Sequence, residues 1–348
     1  MPDLSAFPPQ GMLHEGWSAQ ADDYALSCGW GANGQTLVVG DVAGGLYAFQ
    51  AESGEVIWSK KDIHQGGLLA LSVHPNGDRF ATSGQDGSVL IWDLDTGQIL
   101  HSIKPSKSWV EHLSWSNNGQ QLAVASGRYV HIYTSDGNEQ WKSDEHPSTV
   151  SAIFWSKPDE LASACYGQVV FYDIKKKQEN QKLEWQGSLI SMVLNPGGDI
   201  VACGSQDNSV HFWRRDTGKD AEMTGYPGKP VQLAFDQSGQ FLATGGSDQI
   251  TVWNFQGDGP EGSLPGQLVL HPEPITSLTF ANQGMVLASG SKDGSVFVWL
   301  LDKNGDGSPL GGAFVGERIS GLQWQPNDSS LAAIDANGGI HVWRFKVR

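Results

Sequence analysis

The chain has 348 residues, with 22 Lys and Arg against 38 Asp and Glu and a net charge of −16. That balance disfavours nucleic-acid phosphates and anionic membranes as partners and favours basic proteins. Glycine at 44 residues and only 17% charged residues suit strands joined by tight turns, and no apolar run is long enough for a membrane helix.

Residues 1–11, MPDLSAFPPQG, read as a tail with neither the basic stretch nor the apolar core of a secretion signal. Met12 to Ser18 is the one strand candidate before the first regular unit. From there an aromatic residue closes a short β-branched run at Phe49, Trp92, Tyr133, Tyr172, Trp213, Trp253, Trp299 and Trp343, at intervals of 39 to 46 residues. A period of that size means stacked units that cannot bury their faces alone. Residues 68–103 show the unit best. Leu69, Leu71 and Val73 alternate as a half-buried strand, and Pro75-Asn76-Gly77-Asp78 turns the chain. Phe80 to Ser83 and Val89 to Trp92 follow as two further strands. Asp95-Thr96-Gly97 then turns into a fourth strand, Gln98 to Ile103.

Three-strand cores fall near residues 24–49, 68–92, 109–133, 149–172, 188–213, 230–253, 275–299 and 318–343. Each of the first seven is followed by an outer strand, such as Glu55 to Lys60 or Lys182 to Gln186. The eighth is not. The reading is therefore an all-β β-propeller of four-stranded antiparallel blades, eight in number, formed by residues 12–348 as one domain. Its ring is closed by Met12 to Ser18 as the outer strand of the last blade. Seven blades is the alternative if the unit ending in Phe49 is incomplete.

These residues resemble the WD-repeat family of β-propellers. Trp92-Asp93 is the dipeptide that names it, and SQDNSVHFW at 205–213 and SKDGSVFVW at 291–299 match its third-strand motif. The resemblance covers nearly the whole chain and implies a hydrogen-bonded set of His, Ser or Thr, Asp and Trp in each blade. His271, Ser289, Asp293 and Trp299 fit it fully, and His64, Thr82, Asp86 and Trp92 fit it with Thr for Ser. Asp207 faces Cys203 where a hydroxyl belongs, and His146 has no matching Asp. Because these residues recur with the repeat, they are structural and no catalytic residue is expected.

The tryptophans Trp30, Trp115, Trp155 and Trp324 end first strands and read as packing residues. Loops before first strands, and between second and third strands, open on the family's usual binding face. They carry Trp109, Arg128, Tyr166, Tyr226, Lys292 and Arg318, the residue types of partner-binding hot spots. The inner ends of first strands read Leu26, Leu71, Leu113, Ile153 and Leu278, which is packing. Asp302, Asn304 and Asp306 in DKNGDG have the spacing of a calcium loop, although position 12 is Ala313; a lengthened polar turn is the other reading, and no other cofactor is expected. The turns Asn254 to Gly266 and Asp302 to Gly312 are longer than blade closure needs.

Cys28, Cys165 and Cys203 are scattered and odd in number, as in a reduced cytoplasmic protein. The expected function is a non-enzymatic WD-repeat scaffold for protein–protein interaction, a monomeric ring binding one or more proteins and neither nucleic acid nor membrane. The alternative is a propeller enzyme or a ligand or metal sensor using the central channel.

Overall fold

The computed structural model describes residues 12–346, and every regular element among them is a β-strand. The unit seen in residues 68–103 becomes the strands Leu68–Val73, Arg79–Gly84, Val89–Asp93 and Ile99–Ile103. They pair antiparallel in sequence order, with Phe80 opposite Trp92. The two middle strands are almost wholly buried, while the fourth exposes Ile99 and Leu100. Gly77 turns with φ +66°, and a Cβ there would lie 1.8 Å from the Ala32 amide nitrogen, so no other residue fits.

The strands form seven hydrogen-bonded sheets, which corrects the expected eight separate blades. Six sheets have four strands and one has six. The unit ending in Phe49 is complete, with Ala25–Trp30, Thr36–Asp41, Leu46–Gln50 and Val56–Lys60. The count falls elsewhere. Gln178–Leu194 runs as one strand of 17 residues through the place where the fourth repeat should turn into the fifth. Gln186-Gly187-Ser188 makes a bulge and not a turn, since Tyr166 pairs with Ser188 and Gln168 with Glu184, and the strands Ala152–Lys157, Glu160–Asp173, Gln178–Leu194, Ile200–Ser205, Val210–Arg214 and Lys219–Met223 count as one sheet. Glu160–Asp173 likewise joins two expected strands of the fourth repeat. Leu13–Gln20 lies beside Gly339–Phe345 and completes the sheet of Ser330–Asp335 and Ile319–Trp324.

The chain divides into two compact units, residues 19–192 and residues 12–18 with 193–346. In the first, Ala81, Ile91, Val110, Leu122, Val124 and Tyr133 form a core shared by neighbouring sheets. In the second, Phe241, Val252, Leu287, Phe297 and Trp299 do the same. Tryptophans that end first strands also donate hydrogen bonds to the sheet before them. Trp115 Nε1 donates to the Ser72 carbonyl at 3.1 Å and Trp155 Nε1 to that of Ser114 at 3.0 Å. In the second unit, Trp324 Nε1 donates to the Thr279 carbonyl at 3.2 Å.

A recurring bulge shapes the start of the first strands. Leu26, Leu69 and Glu111 are each the extra residue between two paired neighbours in the unit 19–192. Such a residue breaks the two-residue alternation and re-aims its side chain.

Candidate functional site

Two buried networks tie strands together. Trp92 Nε1 donates to Thr82 Oγ1 at 2.9 Å, and Thr82 Oγ1 lies 3.0 Å from His64 Nε2. His64 Nδ1 then meets Asp86 at 3.2 Å and Ser88 at 3.0 Å. Trp299 Nε1 donates to Ser289 Oγ at 2.9 Å, and Ser289 lies 2.7 Å from His271 Nε2. His271 Nδ1 meets Ser295 Oγ at 2.7 Å, and Ser295 donates to Asp293 at 2.6 Å. Asp293 therefore reaches His271 through Ser295 rather than directly. Ser289 is fully buried and its oxygen is committed to both neighbours, so this Ser, His and Asp set has no access to a substrate. Burial pushes the His271 imidazole down to about 4, with Asp293 pulling the other way. Ser289→Ala is expected to strand both Trp299 and His271 at a cost of about 1 to 3 kcal/mol each. Asp293→Ala is expected to cost only about 1 kcal/mol, because Ser295 still covers His271. Urea unfolding of the two variants tests that order, and equal losses would mean that Ser295 is no relay.

Two further repeats build the same link from different residues. His146 Nε2 sits 2.9 Å from Ser163 Oγ and 3.0 Å from the Tyr172 hydroxyl, and its Nδ1 is 3.0 Å from the Arg128 carbonyl, which stands where an Asp would. Tyr226, one of the expected partner-binding residues, takes part in such a link. Its hydroxyl accepts from Trp253 Nε1 at 2.8 Å and from Thr244 at 2.9 Å, so it stands where the histidine of other repeats does. Burial raises its pKa, offset by those hydrogen bonds.

The unit 19–192 brings three of the other anchors to one end. Trp109 and Tyr166 are 52% and 58% exposed. Ser108, beside Trp109, accepts from Ser126 next to the Gly127-Arg128 turn. Arg128 Nε donates to the His146 carbonyl at 2.7 Å, and Ser148 accepts from the Tyr166 amide at 2.9 Å. Hydrogen bonds thus link the loops that carry Trp109, Arg128 and Tyr166 in series. The exposed Arg128–Glu145 pair at 3.0 Å contributes little to stability. In the other unit Lys292 lies 3.8 Å from Glu273, and Arg318 is exposed with its carbonyl accepting from Ala336.

Asp302, Asn304 and Asp306 form a self-closed turn. Asp302 Oδ1 accepts from the Asn304 amide at 2.8 Å and the Asp306 amide at 3.1 Å, and the Asp302 amide donates to the Asp306 carbonyl. That is what a polar turn of this composition does. Among the described residues no group of three or more His, Cys, Asp or Glu gathers to hold a metal. The two long turns do adjoin, since a Cβ on Gly266 would lie 2.3 Å from the Gly305 carbonyl oxygen.

A cavity of 340 Å³ opens on the first strands of the unit 19–192. Leu113 and Ile153 form apolar wall, and Glu111, His112, Ser151 and Ser191 bring polar groups to it.

Residues 12–223 match the family model PQQ_2, described as outer membrane protein assembly factor BamB, and residues 221–254 and 262–299 match the WD domain, G-beta repeat. The chain is 23% identical over 290 residues to autophagy-related protein 16 of Arabidopsis thaliana, across 80% of this chain and 56% of that protein. It is also 23% identical over 296 residues to WD repeat-containing protein 1 of Xenopus tropicalis, across 80% of this chain and 47% of that one. The C-terminal WD40 domain of Sif2 superposes with a TM-score of 0.81 at 14% identity, over 96% of this chain and 99% of that one. The computationally designed Ika8 protein does so at 0.82 and 22%, over 95% and 100%. The chain belongs to the WD-repeat β-propeller family. Its longer match, over more than half its length, makes it a member of the PQQ_2 family as well, and the outer-membrane role in that description is said of the protein it names. This WD-repeat chain spans about half the length of the full-length relatives named above.

Two features of this WD-repeat chain escape a reading of the sequence alone. Tyr226 stands 18 residues before Thr244, the separation of His64 from Thr82 and of His271 from Ser289, and that spacing was the available signal. Glu111 falls at the bulge position that Leu26 and Leu69 hold in the two preceding repeats, and an alignment that allowed for the bulge would find it.

Proposed function

We propose that this chain is a non-enzymatic scaffold that holds a protein partner on the end of the unit 19–192 bearing Trp109, Arg128 and Tyr166. The observation that carries the reading is the exposure of two large aromatic side chains, Trp109 and Tyr166, on loops linked in series through that of Arg128. Trp, Tyr and Arg dominate interface hot spots because they combine large buried area with a polar group that can be satisfied. WD-repeat scaffold families are in general non-enzymatic, and the hydroxyls of the Ser289–His271 and Thr82–His64 sets are sealed inside sheets. The net charge of −16 favours a basic partner. Three free cysteines fit a reduced compartment such as the cytoplasm.

The test begins with affinity capture from the native cell to identify the partner. Trp109→Ala and Tyr166→Ala are each expected to weaken it by about 2 kcal/mol in calorimetry, with an unchanged melting temperature. A captured partner that binds the double variant as tightly as the intact chain would place the interface elsewhere.

A further inference from the structure

The cavity in the unit 19–192 offers hydrogen-bond acceptors and no positive charge. Glu111 and His112 are half-buried, and neither has a side-chain hydrogen bond or ion pair among the described residues. Ser151 spends its hydroxyl proton on the Ala164 carbonyl at 3.2 Å, which leaves its oxygen able only to accept. No Lys or Arg lines the cavity, and Leu113 and Ile153 supply an apolar wall.

The placement of the carboxylate is specific to this repeat. The bulge that carries Glu111 carries Leu26 and Leu69 in the two preceding repeats of the same unit, so the fold itself asks for no charge there. A carboxylate that no side chain of the fold pairs is available to a cation from outside. We propose that this cavity binds a small organic cation, an ammonium or guanidinium group seated on the Glu111 carboxylate with His112 and Ser151 accepting its remaining N–H bonds. An anion is repelled by Glu111, and one carboxylate with one imidazole is too few ligands for a transition metal. Burial holds the His112 imidazole below its ordinary pKa, so at neutral pH it is uncharged and can accept. The volume of 340 Å³ is at the small end of ligand pockets, matching an alkylamine or one arginine side chain.

Calorimetry on the full chain tests the proposal with two probes, agmatine as a free amine and a blocked arginine as a peptide side chain. Saturable binding of either supports the site, and the tighter probe identifies the source. Glu111→Leu, the residue that the sister repeats use, is expected to weaken binding at least about tenfold with an unchanged melting temperature. His112→Ala is expected to weaken it severalfold. Absence of heat from both probes up to about 10 mM, or binding undiminished in Glu111→Leu, would overturn the proposal.

Discussion

Removal of residues 1–18 is expected to destabilise the chain by on the order of 5 kcal/mol, a large share of what a folded domain holds in reserve. The deletion takes most of Leu13–Gln20 and leaves Gly339–Phe345 as a naked edge with unpaired N–H and C=O groups. It also removes Met12, whose amide donates to the Leu310 carbonyl and whose carbonyl accepts from Lys346, and the contacts of Met12 and Leu13 with the cluster of Trp324, Leu331 and Phe345. Gly16→Val is expected to reproduce part of the loss in the full-length chain, because a Cβ there would lie 2.5 Å from the Val342 carbonyl oxygen. Thermal melting of the three proteins decides the matter. A truncated chain that melts with the intact one would show that the strand adds nothing.

Acidification is expected to unfold the protein well before its carboxylates are all protonated. His271 has a folded pKa of about 4 against an ordinary 6.5, because burial penalises its charged form. A depressed pKa means that the fold binds the proton less well than the unfolded chain. The stabilisation is therefore complete above about pH 6.5, shrinks as pH falls, and is gone below about pH 4; for His271 it amounts to about 3 kcal/mol. Burial also lowers His64, His131, His146 and His211, each with a neighbouring acid or carbonyl opposing it in part. Urea midpoints taken from about pH 7 down to about pH 4 should fall steadily, and in His271→Gln the slope should be shallower. Stability that is flat or rising across that window would contradict the buried neutral histidines.

Much of this architecture was legible because it depends on local chemistry repeated at a fixed period. Phe80, Trp92 and Ile91 lie where alternation puts them, and Leu13–Gln20 was legible as the one strand left without a unit. What was not legible depends on a change of register. Gln178–Leu194 stays one strand because Gln186-Gly187-Ser188, whose Gly and Ser read as turn residues, is absorbed as a bulge opposite Tyr166 and Gln168. Leu26 is itself a bulge residue whereas Leu71 and Leu113 stand two places after theirs, so reading all of them as one row of packing residues hid Glu111. Tyr226 lies in a loop and reads as a partner-binding residue from sequence, yet its phenol spans the same gap between strands as the imidazole of other repeats.

The tryptophan bonds across successive sheets carry one more consequence. Each indole of Trp115, Trp155 and Trp324 takes as acceptor a main-chain oxygen, that of Ser72, Ser114 or Thr279. A main-chain oxygen is present whatever residue occupies the position. The joint between neighbours is thus insulated from substitution on the accepting strand, and only the donor is constrained. Repeats can drift apart in sequence, as Phe49, Tyr133 and Trp213 have done at one shared position, while the seam between them keeps its geometry. Variation is channelled to loops and outer strands, where new recognition can arise without renegotiating how the repeats fit together.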